Sequence, residues 1–368
     1  MTAPVPNHRP RILFLARRYP PTIGGIQTHC HALYTRLVKQ AQVHLVALGR
    51  QSLLHLAWFL PYCFVVALWA VLFRRVDAVY FADGVSATLA PLLRPLGPAR
   101  FITTVYGLEM TYKNPLARAL MHWGVRACDK VVVISEHSRR ITAASGVPEA
   151  KLEIIYLGVE PLELSPDALE TVRARFEEEH GLRFGQDRIL LLFGRQVPRK
   201  GMAEFLEKGM PLLDADIRLL ICGPLGSATA RLQALRCEQS LETRVVLLGP
   251  VPDEVLAMLR TSCDLFLMPN IHIPGDVEGF GQTQLECMYA GTPAVAFAVD
   301  ALTESVREGG FLVDPEDYPA FVEQIHRFFS LSPTERADLG RQCRAYVQRE
   351  YAQKKIATQY MNLFTGRI

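Results

Sequence analysis

The stretch RILLLFGRQVPRKGMAEFLE, residues 188–207, runs a continuous apolar segment into a glycine, a short basic loop and a helical pattern. A strand buried on both faces reads as such a run, and a helix must then carry the chain back for the next parallel strand. The same unit recurs on both sides. Downstream lie IRLLICG (217–223), RVVLLG (244–249), DLFLMP (264–269), PAVAFA (293–298) and GFLVD (310–314). Upstream lie RILFLA (11–16), VHLVAL (43–48), AVYFA (78–82), RFITTV (100–105), KVVVIS (130–135) and LEIIY (152–156). The polar, helical segment 164–187 joins the two series. Two series of domain length predict an α/β fold with two Rossmann-like sheets in tandem. Ligands in such sheets bind beyond the C-terminal strand ends, so two facing sheets are expected to leave a cleft between them. Residues 332–368 read as helical and have no strand left to add.

Length and composition bound the function. At 368 residues there is room for two domains, each with its own core. Apolar residues make up 49% and charged residues 21%, an ordinary globular balance. A net charge of +3 is too small for nucleic acid to be the main partner. Local basic clusters, FRR, HSRR and RQVPRK, leave small anions or an anionic membrane face open. The eight cysteines are scattered without a CxxC pair, and several sit in apolar runs where a buried thiol is the plain reading. That usage argues against a zinc site or a disulfide framework and suits a reducing compartment. Residues 1–11, MTAPVPNHRPR, lack the apolar core of a signal peptide, so a cytoplasmic protein is expected.

Residues 53–73, LLHLAWFLPYCFVVALWAVLF, contain no ionised side chain and are flanked by Arg50, Arg74 and Arg75. The length reaches that of a membrane span. The position does not suit one, because the strands on either side must share a sheet and cannot lie on opposite sides of a bilayer. Pro61 also removes a backbone donor within the run. Two readings stay open: one or two helices buried against the sheet, or a surface that dips into the inner face of the cytoplasmic membrane. Trp58, Tyr62 and Trp69 beside arginines are residue types favoured at such interfaces.

Three segments carry the chemistry. After the first strand, LARRYPPTIGGIQTH places Gly24 and Gly25 at a helix start, where backbone can approach an anion; a simple turn is the plainer alternative. It is not the GxGxxG fingerprint of dinucleotide enzymes. In 188–207, Arg195 stands just past a strand and Lys200 five residues later, beside a helix start. Such a pair suits a diphosphate, with Arg as a two-pronged donor and Lys as a point charge; a solvated basic loop is the alternative. In GDVEGFGQTQLECMYAGTPAVAF (275–297), Glu278 is expected in a loop and Glu286 in about the first turn of a helix running from near Thr283 to Gly291. Gly279, Phe280, Gly281, Gln282 and Thr283 present successive backbone amides between them. Carboxylates there can accept from the hydroxyls of a sugar or ribose, or can simply be a solvated loop acid and an acid at a helix start.

The two acids, separated by seven residues around EGFG, resemble the EX7E motif of retaining GT-B glycosyltransferases of the family 4 type. FGRQVPRKG resembles the arginine and lysine segment of that family, and YPPTIGGIQTH its N-terminal glycine loop. ISEHSRR, YLGVEP and ICGP follow in the expected order, so the resemblance covers nearly the whole chain. It implies a GT-B fold: residues 1–170 as an acceptor-binding domain, 180–345 as a nucleotide-sugar-binding domain, and 346–368 as a helix returning to the first. It implies that Arg195 and Lys200 hold the donor diphosphate and stabilise the leaving group, that Glu278 contacts the transferred sugar and that Glu286 binds the ribose hydroxyls. Backbone at 280–283, and at Gly24 and Gly25 from the other domain, would touch the donor. No metal or other cofactor is expected, and no Asp-x-Asp pair stands at the expected place. In TTVYGLEMTY, Tyr106 replaces a histidine common in the family, while Glu109 is in place; both are expected on the sugar or acceptor side. A tyrosine is a poor base near neutral pH.

The expected function is a retaining hexosyltransferase-type enzyme. It moves a sugar from a nucleotide-diphosphate sugar to a glycan or lipid-linked acceptor, in synthesis of surface polysaccharide or glycolipid. A nucleotide-sugar epimerase or phosphorylase of the same fold, and a catalytically silent partner that binds nucleotide sugar or membrane, are the alternatives. The base, the sugar and the acceptor are set by pocket shape, which the sequence does not give.

Overall fold

The structure, a computed structural model, describes residues 9–22, 24–50, 53–73 and 75–367. The leader reading on residues 1–8 and the flanking Arg74 lie outside the described residues. The chain divides into two compact units, one of Met1–Gly158 with Tyr351–Ile368 and one of Val159–Glu350. The helix Pro166–His180, in the segment read as a connector, belongs to the second unit.

The first unit holds β1 (Arg11–Ala16), β2 (Gln42–Ala47), β3 (Ala78–Phe81), β4 (Arg100–Val105), β5 (Lys130–Val133) and β6 (Leu152–Ile154). All pair in parallel, in the order β2-β1-β3-β4-β5-β6. Side chains alternate across the sheet, as a period of two requires. Leu13, Leu15, Val79, Phe81, Phe101, Val105, Val131 and Val133 pack against Phe59, Cys63, Ala67 and Val71 of the helix Leu56–Leu72. Ile12, Phe14, Ala78, Tyr80, Ile102 and Val132 face the other way. They meet Cys30 and Leu33 of the helix Gly25–Leu37 and Ile356, Tyr360 and Phe364 of the last helix, Gln353–Thr365. The chain's final helix therefore completes the core of the first unit.

The 53–73 run forms one helix, Leu56–Leu72, which continues through Pro61 after a single turn of 3₁₀ helix. One face of it is buried against the sheet, as the first of the two readings expects, and Trp58, Tyr62, Val65, Trp69 and Leu72 are exposed on the other. Among the described residues, no helix is long and apolar enough to cross a membrane.

The second unit holds β7 (Arg188–Phe193), β8 (Ile217–Cys222), β9 (Val245–Gly249), β10 (Leu265–Met268), β11 (Ala294–Phe297) and β12 (Gly310–Val313). Their parallel order is β12-β11-β10-β7-β8-β9. The order reverses between β7 and β10. In open α/β sheets such a reversal is the place beyond the strand ends where ligands bind. The twelve strands and the α/β class agree with the sequence reading, with ends moved by a residue or two. All eight cysteines are free thiols, and all but Cys237 are buried.

Candidate active site

The loop after β7 carries Arg195 to Lys200, and the loop after β10 carries Asn270 to Gly281. Their approach is set by backbone. Gly201, at φ +63°, lies so close to the Pro269 carbonyl oxygen that a Cβ would stand 1.7 Å from it. The Ile271 amide donates to the Arg199 carbonyl at 3.0 Å. Any larger residue at position 201 would push the loops apart. The contact places the 3₁₀ turn Pro198–Lys200 directly against the acid-bearing loop.

Glu278 is the meeting point. Its Oε2 accepts from Arg199 Nη1 at 2.6 Å, from Asn270 Nδ2 at 3.0 Å, and from Lys200 Nζ at 2.8 Å. Oε1 takes no hydrogen bond among the described residues. The Glu278 amide donates to Asp300 Oδ2 at 2.9 Å, which fixes the backbone from below. Arg199 is held in turn by Asp276 Oδ1 at 2.9 Å from Nε. Lys200 and Glu278 are 6% and 9% exposed, so water screens this cluster little. Burial by itself raises the Glu278 pKa, but the charges of Lys200 and Arg199 outweigh it and hold the carboxyl at about 2. Burial lowers the Lys200 pKa, and Glu278 offsets part of that. One oxygen is saturated by donors and cations while its twin is left as an open acceptor. A ligand hydroxyl is the natural complement.

Arg195 is exposed on the same loop and has no acidic partner among the described residues. Its neighbour Gln196 is buried and accepts from Thr229 at 2.7 Å, which pins the loop to the start of the helix Thr229–Glu238 that follows β8. The helix after the acid loop begins at Gln282, one residue earlier than expected, with Gly281 at φ +74° as its cap. A Cβ on Gly281 would stand 2.5 Å from Leu302. The first amides of this helix, at Gln282 and Thr283, have no intrahelical acceptor. Phe280 is buried and Gly279 half-buried. Glu286 falls in the second turn rather than the first, and its Oε2 lies 3.1 Å from Arg260 Nη2 on the adjacent helix Asp253–Ser262. Burial raises the Glu286 pKa, and Arg260 opposes this. Arg260 also lies over the Phe193 ring at 5.5 Å, so its guanidinium is held from two sides.

In the first unit, Gly24 caps the helix Gly25–Leu37 at φ +156°, and a Cβ there would clash with Gln27 Oε1 at 2.7 Å. Tyr106 is buried beneath that helix, its hydroxyl 3.9 Å from the Cys30 thiol. Its amide donates to Glu109 Oε2 at 3.1 Å. Burial raises the pKa of both Tyr106 and Glu109. His29, on the same helix, is fully buried and lowered to about 4 by burial, with Nε2 at 3.4 Å from the Tyr360 hydroxyl.

The structure thus joins Lys200 to Glu278 and Tyr106 to Glu109, and gives Arg195 no contact with either acid of the second unit. Sequence reasoning missed Arg199, Asn270 and Asp300 around Glu278, and Arg260 beside Glu286. Arg199 had a signal, being a cation next to Lys200 in the quoted motif; Asn270 turns back on Glu278 within one loop, and Asp300 and Arg260 contact the acid segment only through tertiary packing. Among the described residues, no group of three or more His, Cys, Asp or Glu side chains is placed to hold a metal ion.

Comparison with known proteins bears on the family and the fold. The family described as "Glycosyl transferases group 1" matches residues 174–346, and "Glycosyltransferase Family 4" matches residues 23–161. A GDP-mannose-dependent alpha-(1-6)-phosphatidylinositol monomannoside mannosyltransferase of Mycolicibacterium smegmatis is 27% identical over 383 residues, spanning 97% of this chain and 98% of that protein. The 2-deoxystreptamine glucosyltransferase of Streptomyces kanamyceticus is 26% identical over 310 residues, 83% of this chain and 71% of that one. Among solved structures, Anabaena HepE in complex with UDP and glucose superposes with a TM-score of 0.77 at 18% identity, over 97% of this chain and 100% of that one. Sucrose-phosphate synthase from Thermosynechococcus elongatus gives 0.79 at 20% identity, over 98% and 99%. With one family description on each unit and two parallel sheets beneath them, the chain belongs to the GT-B glycosyltransferases of the family 4 type.

Proposed function

We propose that this glycosyltransferase moves a hexose from a nucleotide-diphosphate sugar to a glycan or lipid-linked acceptor, with retention at the anomeric carbon and without a metal. The observation that carries the reading is Glu278, its Oε2 locked by Arg199, Lys200 and Asn270 and its Oε1 open, at the point where the strand order reverses. The open oxygen accepts from a sugar hydroxyl and sets the donor's orientation. Lys200 and exposed Arg195 meet the diphosphate and take up the charge that develops on it as the bond breaks. Glu286, oriented by Arg260, accepts from the ribose hydroxyls. In the reaction, the bond from the anomeric carbon to the phosphate oxygen breaks. The acceptor oxygen bonds to that carbon on the same face, and its proton passes to the departing phosphate.

Relatives named for GDP-mannose and a neighbour solved with UDP set the first probes. The test is a thermal-shift screen of nucleoside diphosphates and their sugars, followed by proton NMR of the product made from the stabilising donor. Stabilisation by one base series, an axial or equatorial product linkage matching the donor, and turnover unchanged by EDTA are expected. No response to any nucleotide would undermine the proposal, stabilisation without transfer to any acceptor would favour a silent partner, and a donor epimer without an acceptor product would favour an epimerase. An inverted linkage would sink the retaining mechanism.

A further inference from the structure

The chain has three tryptophans, Trp58, Trp69 and Trp123, and all lie on outer helix faces of the first unit, 52%, 51% and 49% exposed. On the helix Leu56–Leu72 the exposed apolar residues Trp58, Tyr62, Val65, Trp69 and Leu72 recur at steps of four and three, opposite buried Phe59, Cys63, Ala67 and Ala70. On the helix Pro115–Ala127 the exposed residues Leu116, Leu120 and Trp123 do the same, opposite buried Met121 and Val125. Between these helices, exposed Leu92 and Leu96 stand on the short helical segments Ala90–Leu93 and Arg94–Leu96, which pack against both sides or one of them. The helices share one face of the first sheet, so their outer sides make a single apolar surface. Exposed apolar side chains grouped on adjoining segments, rather than scattered singly, mark an interaction site.

Charge says with what. Residues 53–129 contain seven arginines and lysines against four acids, of which Asp83 and Glu109 are buried, Asp77 pairs with Arg11 and Asp129 with Arg94. Arg75, Lys113 and Arg118 lie in or beside the same segments and have no acidic partner among the described residues. The Arg75 guanidinium stands 4.5 Å over the Trp69 ring. Tryptophan and tyrosine at half exposure, aliphatic side chains between them and a border with an excess of cations over acids are the composition of a surface that lies in the headgroup region of an anionic membrane. A protein partner's rim would carry polar groups of both signs.

We propose that this face seats the first unit on an anionic lipid bilayer. The tryptophans and leucines enter the boundary between headgroups and acyl chains, and Arg75, Lys113 and Arg118 meet lipid phosphates. Nothing crosses: the helix keeps its other face in the sheet.

Because every tryptophan lies on this face, intrinsic fluorescence of the full chain reads it directly. Vesicles of phosphatidylcholine with phosphatidylglycerol should shift the emission to the blue, brominated lipid should quench it, and added salt should reverse both. Phosphatidylcholine alone should do neither. In co-sedimentation, Arg75→Glu with Arg118→Glu should weaken binding to the anionic vesicles by about thirtyfold, near a tenfold loss or less for each cation removed. Trp58→Ser with Trp123→Ser should weaken it by at least about tenfold. Circular dichroism and melting of both variants should match the wild type. Equal binding to both kinds of vesicle, or variants that bind like the wild type, would overturn the proposal. So would a blue shift that grows with protein concentration without lipid and comes with a dimer's mass, which would assign the face to a second copy.

Discussion

Glu278 and Glu109 are both buried carboxylates in loops that leave the C-terminal ends of inner strands, β10 and β4, yet their environments drive them apart. Around Glu109, burial dominates: backbone amides and a distant Arg18 do not offset it, and its pKa is raised. Around Glu278, burial pushes the same way, but two cations and an amide converge on one oxygen and hold it at about 2. Desolvation is the common background, and the sign is decided by whether another loop brings cations within hydrogen-bonding distance. The second unit does this by the glycine-mediated approach of two loops at Gly201 and Pro269. Among the described residues the first unit has no such approach at Glu109, whose carboxylate accepts from the Tyr106 amide.

The largest test of this contrast is catalytic. Glu278→Gln keeps the shape but turns one acceptor oxygen into a donor and removes the charge that Lys200 and Arg199 face. Its kcat/KM for sugar transfer should fall by roughly 100- to 1,000-fold, a loss typical of removing one preorganised polar group. The same change at Glu109 should cost far less, and an equal loss would erase the distinction between the two sites.

Stability comes next. Lys200→Met leaves the buried Glu278 carboxylate short of a cation and should destabilise the protein by about 3 kcal/mol in urea denaturation. Adding Glu278→Gln should restore about 1 kcal/mol or more, because the stranded charge is gone. Simple additivity of the two changes would mean the pair is not coupled.

The pH dependence should have opposite signs at the two acids. The folded pKa of Glu278 lies below its ordinary 4.5, so its contribution is present above pH 4.5 and is lost as pH falls toward about 2. The Tm deficit of Glu278→Gln should therefore shrink on acidification. The folded pKa of Glu109 lies above 4.5, so the protein loses stability as pH rises through that raised value. The Tm of Glu109→Gln, relative to wild type, should thus rise with pH. Parallel curves for the two variants would contradict the opposed shifts.

The smallest effect belongs to Tyr106. Its hydroxyl meets only the Cys30 sulfur at 3.9 Å among the described residues, so Tyr106→Phe should change stability by less than about 1 kcal/mol. A large drop in turnover with unchanged Tm would give the hydroxyl a direct part in sugar or acceptor binding.

Much of the fold was legible because parallel strands buried on both faces leave continuous apolar runs, and each of the twelve runs became a strand. The acids at 278 and 286 and the basic pair at 195 and 200 were legible too, since a loop between strand and helix exposes its chemistry in order along the chain. What the sequence could not show was which cation faces which acid. Arg195, picked for its place after the strand, is exposed, while Arg199, one residue before Lys200, turns inward on a 3₁₀ turn to grip Glu278. Asn270 reaches Glu278 from the start of the same loop, 8 residues away, and Arg260 reaches Glu286 from another helix, 26 residues away.

The run at 53–73 shows the same division. Its composition settled that the segment is apolar and helical, and its place between two strands of one sheet settled that it does not span a membrane. An almost wholly apolar sequence has no amphipathic pattern, so nothing in it told the buried side from the exposed one. Packing against the sheet made that choice, taking Phe59, Cys63 and Ala67 inward and leaving Trp58, Tyr62 and Trp69 outside. Sequence determined the elements, because local burial patterns encode them; tertiary structure decided the partners and the faces, because those depend on contacts between residues far apart in the chain.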